Sequence, residues 1–289
     1  MLKIPSMVAL IIIAVTTLVA YKKRFGLTLA LLVSNFSIFF VYTIYRREMS
    51  FDLAFSPIYL YSYPEKLYTL ATTMFLHADL SHILGNMITL FFLGIPFERR
   101  VGLKRFALIY FISGIGGTII YSLVNPSPTF LIGASGAIFG ILGAFAFAYP
   151  FEEVVMPLPF FFIAILTRVK VLHAAILFGL LELGFSLISY GYDNVAHVAH
   201  VGGLVTGILL SWIVLRERKV RIGIVEYRDL AEVTRDRELM DRIRGESIPE
   251  IRKEWIRELI TKHRCPYCNG RLSYHDEGAY CRRCRTIFR

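Results

Sequence analysis

The stretch Gly133-Ala134-Ser135-Gly136-Ala137-Ile138-Phe139-Gly140 opens an apolar run over residues 133–149 that Pro150 stops. A serine at the head of a membrane helix ordinarily bonds back to its own helix or packs a neighbour. Here glycines at 133 and 136 leave the hydroxyl unshielded and let a second helix approach closely. The second deciding run begins His200-Val201-Gly202-Gly203 and continues through Gly207. Gly203 and Gly207 form a small-x-x-x-small stripe, and Gly133, Gly136 and Gly140 offer a matching surface. Helices joined along these stripes bring Ser135 and His200 within hydrogen-bonding reach. A serine hydroxyl attacks only when a base takes its proton, and histidine is the usual base near neutral pH. The soluble-hydrolase elbow, Gly-x-Ser-x-Gly, does not apply: Ala137 stands at its last position and no strand pattern precedes Ser135.

Composition agrees with a membrane setting. Of 289 residues, 55% are hydrophobic and only 19% charged, with a mean hydropathy of +0.56. A soluble domain is less apolar and more charged. Seven runs have spanning character: residues 5–21 (an extra anchor), 26–45, 78–97, 105–124, 133–149, 171–190 and 198–215. The segment 46–77 is a long polar loop with Pro57 and Pro64. The segment 151–169, with Glu152, Glu153 and two prolines, reads as a partly interfacial loop. The net charge of +10 is distributed as a positive-inside bias, and nucleic acid is not expected as a partner. Lys22–Arg24, Arg99–Arg105, Arg168–Lys170 and Arg216–Arg221 mark the cytoplasmic side; Arg46-Arg47 is the one dissent. With that topology His77, His82 and Asn86, Ser135, and His197 and His200 all lie near one outer face.

These residues resemble the rhomboid family of intramembrane serine proteases. The resemblance rests on four motifs in family order across residues 26–216: His77-x4-His82-x3-Asn86, Leu93-Gly94-x3-Glu98-x3-Gly102, Gly133-Ala-Ser135-Gly136, and Ala199-His200-x2-Gly203-x3-Gly207. It implies an all-α polytopic fold, with a six-helix core plus the extra N-terminal helix. It also implies a Ser135–His200 dyad, with His82 and Asn86 contributing to an oxyanion hole that a backbone N–H at Ser135 can join. By the same resemblance His77 stands near the water-filled entry, and Phe139 is the aromatic against which His200 packs. His197 competes with His200 for the base but lacks the glycine stripe. Asp193 is a candidate third member, although the family uses a dyad. Glu98 has a structural role, pairing Arg99, Arg100 or loop N–H groups. The loop 46–77 has no Trp, where many relatives carry a Trp-Arg pair.

Beyond the core the composition turns charged. The expected organisation is an N-terminal anchor helix (1–25), the catalytic domain (26–216), a cytoplasmic helical linker (217–262) and a small terminal domain (263–289). Residues 226–244 and 249–262 read as two soluble helices, the second with Ile251, Trp255, Leu259 and Ile260 on one stripe. All four cysteines lie in the last 25 residues. Two Cys-x2-Cys knuckles, Cys265/Cys268 and Cys281/Cys284, have the spacing of a tetrahedral zinc site in a zinc ribbon. Four thiolates saturate the metal, so this zinc is structural and catalysis needs no cofactor. The expected protein is a multi-pass cell-membrane endopeptidase with a cytoplasmic tail. It would cleave transmembrane protein substrates within or beside their membrane helix, in contact with the lipid bilayer. The ribbon's own ligand is unspecified. Two other readings are a catalytically silent relative that binds membrane clients, and a transporter or channel. The second calls for more mid-helix charge than these runs carry.

Overall fold

The computed structural model describes residues 2–23, 25–160, 163–188, 195–215, 226–234, 236–267, 269–275, 278–281 and 286–288. The chain divides into two compact units, Met1–Glu217 and Arg218–Arg289. Among the described residues of the first unit six helices are long and apolar enough to cross a membrane: α1 (Ile4–Lys23), α2 (Leu27–Ile44), α6 (Leu80–Val101), α7 (Leu103–Val124), α9 (Val171–Ile188) and α10 (His197–Val214). Lipid offers no partner to a bare peptide group, so the apolar runs close their hydrogen bonds internally as helices. The protein is a multi-pass helical membrane protein. The run at 133–149 forms a helix of only 14 residues, α8 (Ser135–Ala148). Short helices α3 (Arg46–Leu53), α4 (Tyr59–Ser62) and α5 (Thr69–Thr72) fold up the long loop between α2 and α6.

Two buried carboxylates fix the order of the helices. Glu98, near the end of α6, accepts from the N–H groups of Leu27 (2.6 Å) and Thr28 (2.8 Å) and from Thr28 Oγ1 (2.7 Å). It thus caps the start of α2, whose first N–H groups have no intrahelical partner. Its partners are loop-end N–H groups rather than Arg99 or Arg100. Asp52 does the same for α1, accepting from Lys3 N (2.9 Å) and Ser6 Oγ (2.7 Å). One end of the unit therefore gathers the C-termini of α1 and α6 and the N-termini of α2 and α7, with Lys22, Lys23, Arg99, Arg100, Lys104 and Arg105. Arg100 also pairs with Glu152 there. Arg24, Arg216, Lys219 and Arg221, part of the same charge argument, lie outside the described residues. At the opposite end Arg46 donates to the Ala78 carbonyl just before α6. That contact gives the dissenting arginine a structural use.

The expected loop at 151–169 is instead mostly strand among its described residues: β1 (Glu153–Phe160) and β2 (Ile163–Lys170) pair antiparallel, in register from Glu153↔Lys170 to Phe160↔Ile163. Each strand of a two-stranded ribbon has a free edge, where proline's missing N–H leaves no ladder bond unmade. Val154 and Met156 are buried, which ties the ribbon's base to the bundle.

In the second unit the expected helix 226–244 begins only at 237. Residues Glu226–Arg228 form β3, a 3-10 turn covers Leu230–Glu232, and α11 runs Arg237–Gly245. Two aspartates divide the segment: Asp229 Oδ1 accepts from Ala231 N (2.8 Å) and Asp236 Oδ1 from Leu239 N (3.1 Å). The latter is an N-cap, and it sets the helix start. Helix α12 (Pro249–Lys262) has the expected bounds. Leu259 and Ile256 are buried, with Trp255 and Ile260 packed against the same core, so of the expected stripe only Ile251, 41% exposed, departs. The remaining strands β4 (Leu272–His275), β5 (Gly278–Cys281) and β6 (Thr286–Phe288) join β3 in a sheet of order β3-β6-β5-β4, parallel only between β3 and β6.

Candidate active site

Ser135 is the first residue of α8, preceded by Gly133 at φ +125°. That backbone needs glycine. A Cβ there would also stand 2.7 Å from His82 Nε2. The first N–H groups of α8, at Ser135, Gly136 and Ala137, have no intrahelical acceptor and point out beside the serine side chain. Such a fan of donors suits a developing negative charge.

Glycines set the approach of α10 to α8 and α7. A Cβ on Gly203 would lie 2.1 Å from the Gly136 carbonyl oxygen, one on Gly207 2.0 Å from the Gly140 oxygen, and one on Gly117 2.4 Å from the Ala199 oxygen. Backbone therefore rests on backbone, and no larger residue fits. A Cβ on Gly136 would meet the Ala199 oxygen at 3.5 Å, an ordinary contact. At this separation His200 Nε2 lies 2.7 Å from Ser135 Oγ. Phe139, one turn after Ser135, stacks on the imidazole at 4.7 Å between centroids and 9° between planes. His200 is 9% exposed, so its imidazole is largely shielded from solvent, while Ser135 is half-buried.

His197 does not touch the serine. Its Nδ1 lies 2.6 Å from Glu182 Oε2, and its ring stacks on Phe185. Glu182, on α9, is the site residue that the sequence reading passed over. Its Oε2 also lies 2.9 Å from His200 Nδ1, although the approach is oblique and only the His197 contact has hydrogen-bond geometry. The signal was a lone carboxylate inside an otherwise apolar span, which is costly and marks function by default. Asp193, the expected third-member candidate, lies outside the described residues.

His82 and Asn86 occupy one face of α6 but are differently disposed. His82 Nδ1 accepts from Ala78 N (3.3 Å), which leaves the ring proton on Nε2, beside Gly133. Asn86 Nδ2 donates to the His82 carbonyl (2.8 Å), while Asn86 Oδ1 is buried without a hydrogen-bond partner. As an oxyanion donor Asn86 would have to turn from its own helix. His77 is fully buried, 5.0 Å from the His82 ring, and neither ring nitrogen has a hydrogen-bond partner. Burial, reinforced by His82, pushes its pKa down to about 3, so it is neutral. A cavity of about 30 Å³ lies beside Ser135, lined by Thr73, Leu131, Gly133, Gly136 and Ala199 among others. That is room for a water molecule.

Thr73 laces the loop before Ser135 to the segment after α3. Its Oγ1 accepts from Phe55 N (3.3 Å) and donates to the Leu131 carbonyl. Its own carbonyl accepts from Gly133 N (3.1 Å), and Leu131 N donates to Phe55 O (2.7 Å). The backbone leading into the serine is thereby held on both sides.

In the second unit Cys265 and Cys281 are both buried in the small core with Ile256, Leu259 and Phe288. A tight turn follows Cys265: Asn269 N donates to Cys265 O (2.9 Å), Cys265 N donates to Gly270 O (3.0 Å), and Asn269 takes φ 55°. Cys268 and Cys284 lie outside the described residues. A buried thiol at a closed turn and another on the facing strand fit the chemistry of a thiolate metal knuckle.

Fold and site together define a multi-pass membrane protein with a serine and a histidine brought together between two of its helices. The chain belongs to the rhomboid family: residues 64–217, more than half of it, match the Rhomboid domain. It is 34% identical over 153 residues to RHOMBOID-like protein 1 of Arabidopsis thaliana (52% of this chain, 35% of the relative). It is 37% identical over 140 residues to RHOMBOID-like protein 4 of the same organism (48% and 32%). With rhomboid protease GluP of Bacillus subtilis it shares 33% over 142 residues (49% and 25%). The chain spans about a third of the length of the two Arabidopsis relatives.

Proposed function

We propose that this chain is an intramembrane serine endopeptidase that cleaves transmembrane proteins within or next to their membrane helix. The observation that carries the reading is the 2.7 Å approach of His200 Nε2 to Ser135 Oγ across two membrane helices. In this reading Ser135 Oγ attacks the scissile carbonyl as its proton passes to His200 Nε2. The oxyanion takes hydrogen bonds from the α8 N-terminal N–H groups, His82 and a reoriented Asn86. When the tetrahedral intermediate collapses, the C–N bond breaks and the departing amine takes the proton from His200. Water then repeats the sequence on the acyl-enzyme.

The length of α8 supports the membrane setting of this chemistry. Its 14 residues extend about 21 Å, against about 30 Å for the hydrocarbon core. With its C-terminus at the basic end, beside the Arg100–Glu152 pair, Ser135 sits about 9 Å below the opposite face. A substrate helix must unwind locally there, because an intact helix hides its carbonyls. The basic end is the cytoplasmic one by charge bias. We therefore assign the protein to the cell membrane with its tail in the cytoplasm. Zinc held by Cys265, Cys268, Cys281 and Cys284 would cross-link the tail and has no part in the reaction.

The test is fluorophosphonate labelling of the purified full chain, together with cleavage of a reporter transmembrane substrate. Wild type should label and cleave, and Ser135→Ala should do neither while remaining folded. A folded wild type that binds the reporter but neither labels nor cuts it would instead be the silent client-binding relative.

A further inference from the structure

Helix α9 presents lipid-facing residues along most of its length: Leu180, Leu181, Leu183 and Phe185 are all exposed. Among them Glu182 is the one acidic side chain of the helix. A carboxylate inside a span is costly to insert, and residues that carry this cost face the protein interior with a partner. Glu182 is six residues from the end of α9, about 9 Å along the axis, close to the depth worked out for Ser135. Its Oε2 is 2.6 Å from His197 Nδ1 and 2.9 Å from His200 Nδ1, and its side chain is 15% exposed.

We infer that Glu182 is a positioning residue for His200, the third member of a Ser135–His200–Glu182 relay in which His197 holds the carboxylate in place. Nε2 of a neutral imidazole accepts the serine proton only when the ring proton is on Nδ1. An acceptor beside Nδ1 selects that tautomer and stabilises the imidazolium formed as Ser135 attacks. Glu182 stays ionised throughout; the proton moves from Ser135 Oγ to His200 Nε2 and on to the leaving amine. The 2.6 Å bond from His197 takes one lone pair of the carboxylate, and a small rotation presents another to His200 Nδ1. His197, a residue with no contact to Ser135, thereby has a task. The same three side chains offer donor atoms within 4.8 Å of one another, so a divalent cation is the competing occupant of this cluster.

This inference rests on the Ser135–His200 reading, and the experiment separates the two. Wild type, Ser135→Ala, Glu182→Gln and Glu182→Asp would be compared without EDTA, with EDTA, and with EDTA followed by zinc, for fluorophosphonate labelling, kcat, KM and thermal midpoint. Glu182→Gln keeps the size and polarity of the side chain and removes its charge. It should lower kcat and the labelling rate about 10²-fold, with KM and thermal midpoint unchanged, and Glu182→Asp should recover part of the loss. Wild type without Ser135-dependent labelling in either the presence or the absence of EDTA would remove the protease reading itself. Wild type that labels, with Glu182→Gln within twofold of it, would overturn this inference alone. So would a loss that appears only in KM or thermal midpoint, or wild-type activity that EDTA abolishes and zinc restores.

Discussion

Gly203→Ala tests whether backbone contact sets the distance between nucleophile and base. The added Cβ would stand 2.1 Å from the Gly136 carbonyl oxygen and 2.9 Å from its carbon, both backbone atoms that cannot swing aside. Relieving that overlap to a tolerable contact means moving α10 from α8 by about 1 Å, and such overpacking costs about 1–3 kcal/mol. The Ser135–His200 separation would grow from 2.7 Å to about 3.6 Å, which is no longer a hydrogen bond. A misplacement of about 1 Å costs on the order of 10²-fold in rate. Gly136→Ala is the control. Its Cβ meets the Ala199 oxygen at 3.5 Å, an ordinary contact, so its activity should stay within about threefold of wild type. The assay is the second-order rate of fluorophosphonate labelling for the two variants and wild type, each first shown folded by its thermal midpoint. A folded Gly203→Ala that labels at the wild-type rate, or a Gly136→Ala that is equally damaged, would refute the reasoning.

Other expectations follow from the same geometry. His200→Ala should abolish reporter cleavage as completely as Ser135→Ala, because the pair acts as a unit. His197→Ala should cost about tenfold or less, since it loses only a support of Glu182; the reverse order would reassign the base. Asn86→Ala should reduce turnover about 10²-fold with labelling of Ser135 still measurable, and unchanged turnover would leave Asn86 a packing residue. His77 is buried neutral, its pKa pushed from 6.5 down to about 3. The unfolded chain therefore takes up a proton first, and the stability present above pH 6.5 is lost as pH falls toward 3. Thermal midpoints over that range should decline less steeply in His77→Gln than in wild type; parallel curves would exclude the histidine as the cause. One zinc per chain should be found in the full-length protein and lost in Cys265→Ser. A chain truncated after Glu217 should still cleave the reporter in detergent, and a folded but inactive truncation would make the tail part of the enzyme.

The apolar spans were legible because lipid leaves the backbone little choice; most bounds moved by a residue or two, while α6 runs four residues beyond the expected end, to Val101. Ser135, His200 and the glycine stripes were legible because close helix approach demands small residues at fixed spacing. Glu182 was missed although the clue was present: averaged hydropathy over 171–190 absorbs one carboxylate without trace, and only the three-dimensional approach of α9 to α10 gives it partners. Pro157 and Pro159 argue against a strand in sequence, and they hide the β-branched pattern of Val154, Val155, Ile163, Ile165 and Val169 that a two-stranded ribbon can use. The late start of α11 was readable from Asp236 as an N-cap, but the run 226–244 has helix-compatible composition on both sides of it. Asn86's inward-turned amide depends on a rotamer, which no spacing rule predicts.

The glycine seam has a consequence for how this protein can vary. Where helices meet through side chains, a methylene gained or lost shifts their separation by fractions of an ångström, and reactivity can be graded. Here carbonyl oxygens of α8 abut glycine carbons of α10, and the next available residue, alanine, overshoots by roughly an ångström. The spacing of nucleophile and base is therefore close to a digital property, either kept or lost. Graded adjustment of rate or client preference must come from parts outside the seam: the face of α9, the threonine-laced loop before Ser135, and the segment folded by α3 to α5. Natural or engineered diversity in this chain should accumulate in those parts and leave positions 203 and 207 unvaried.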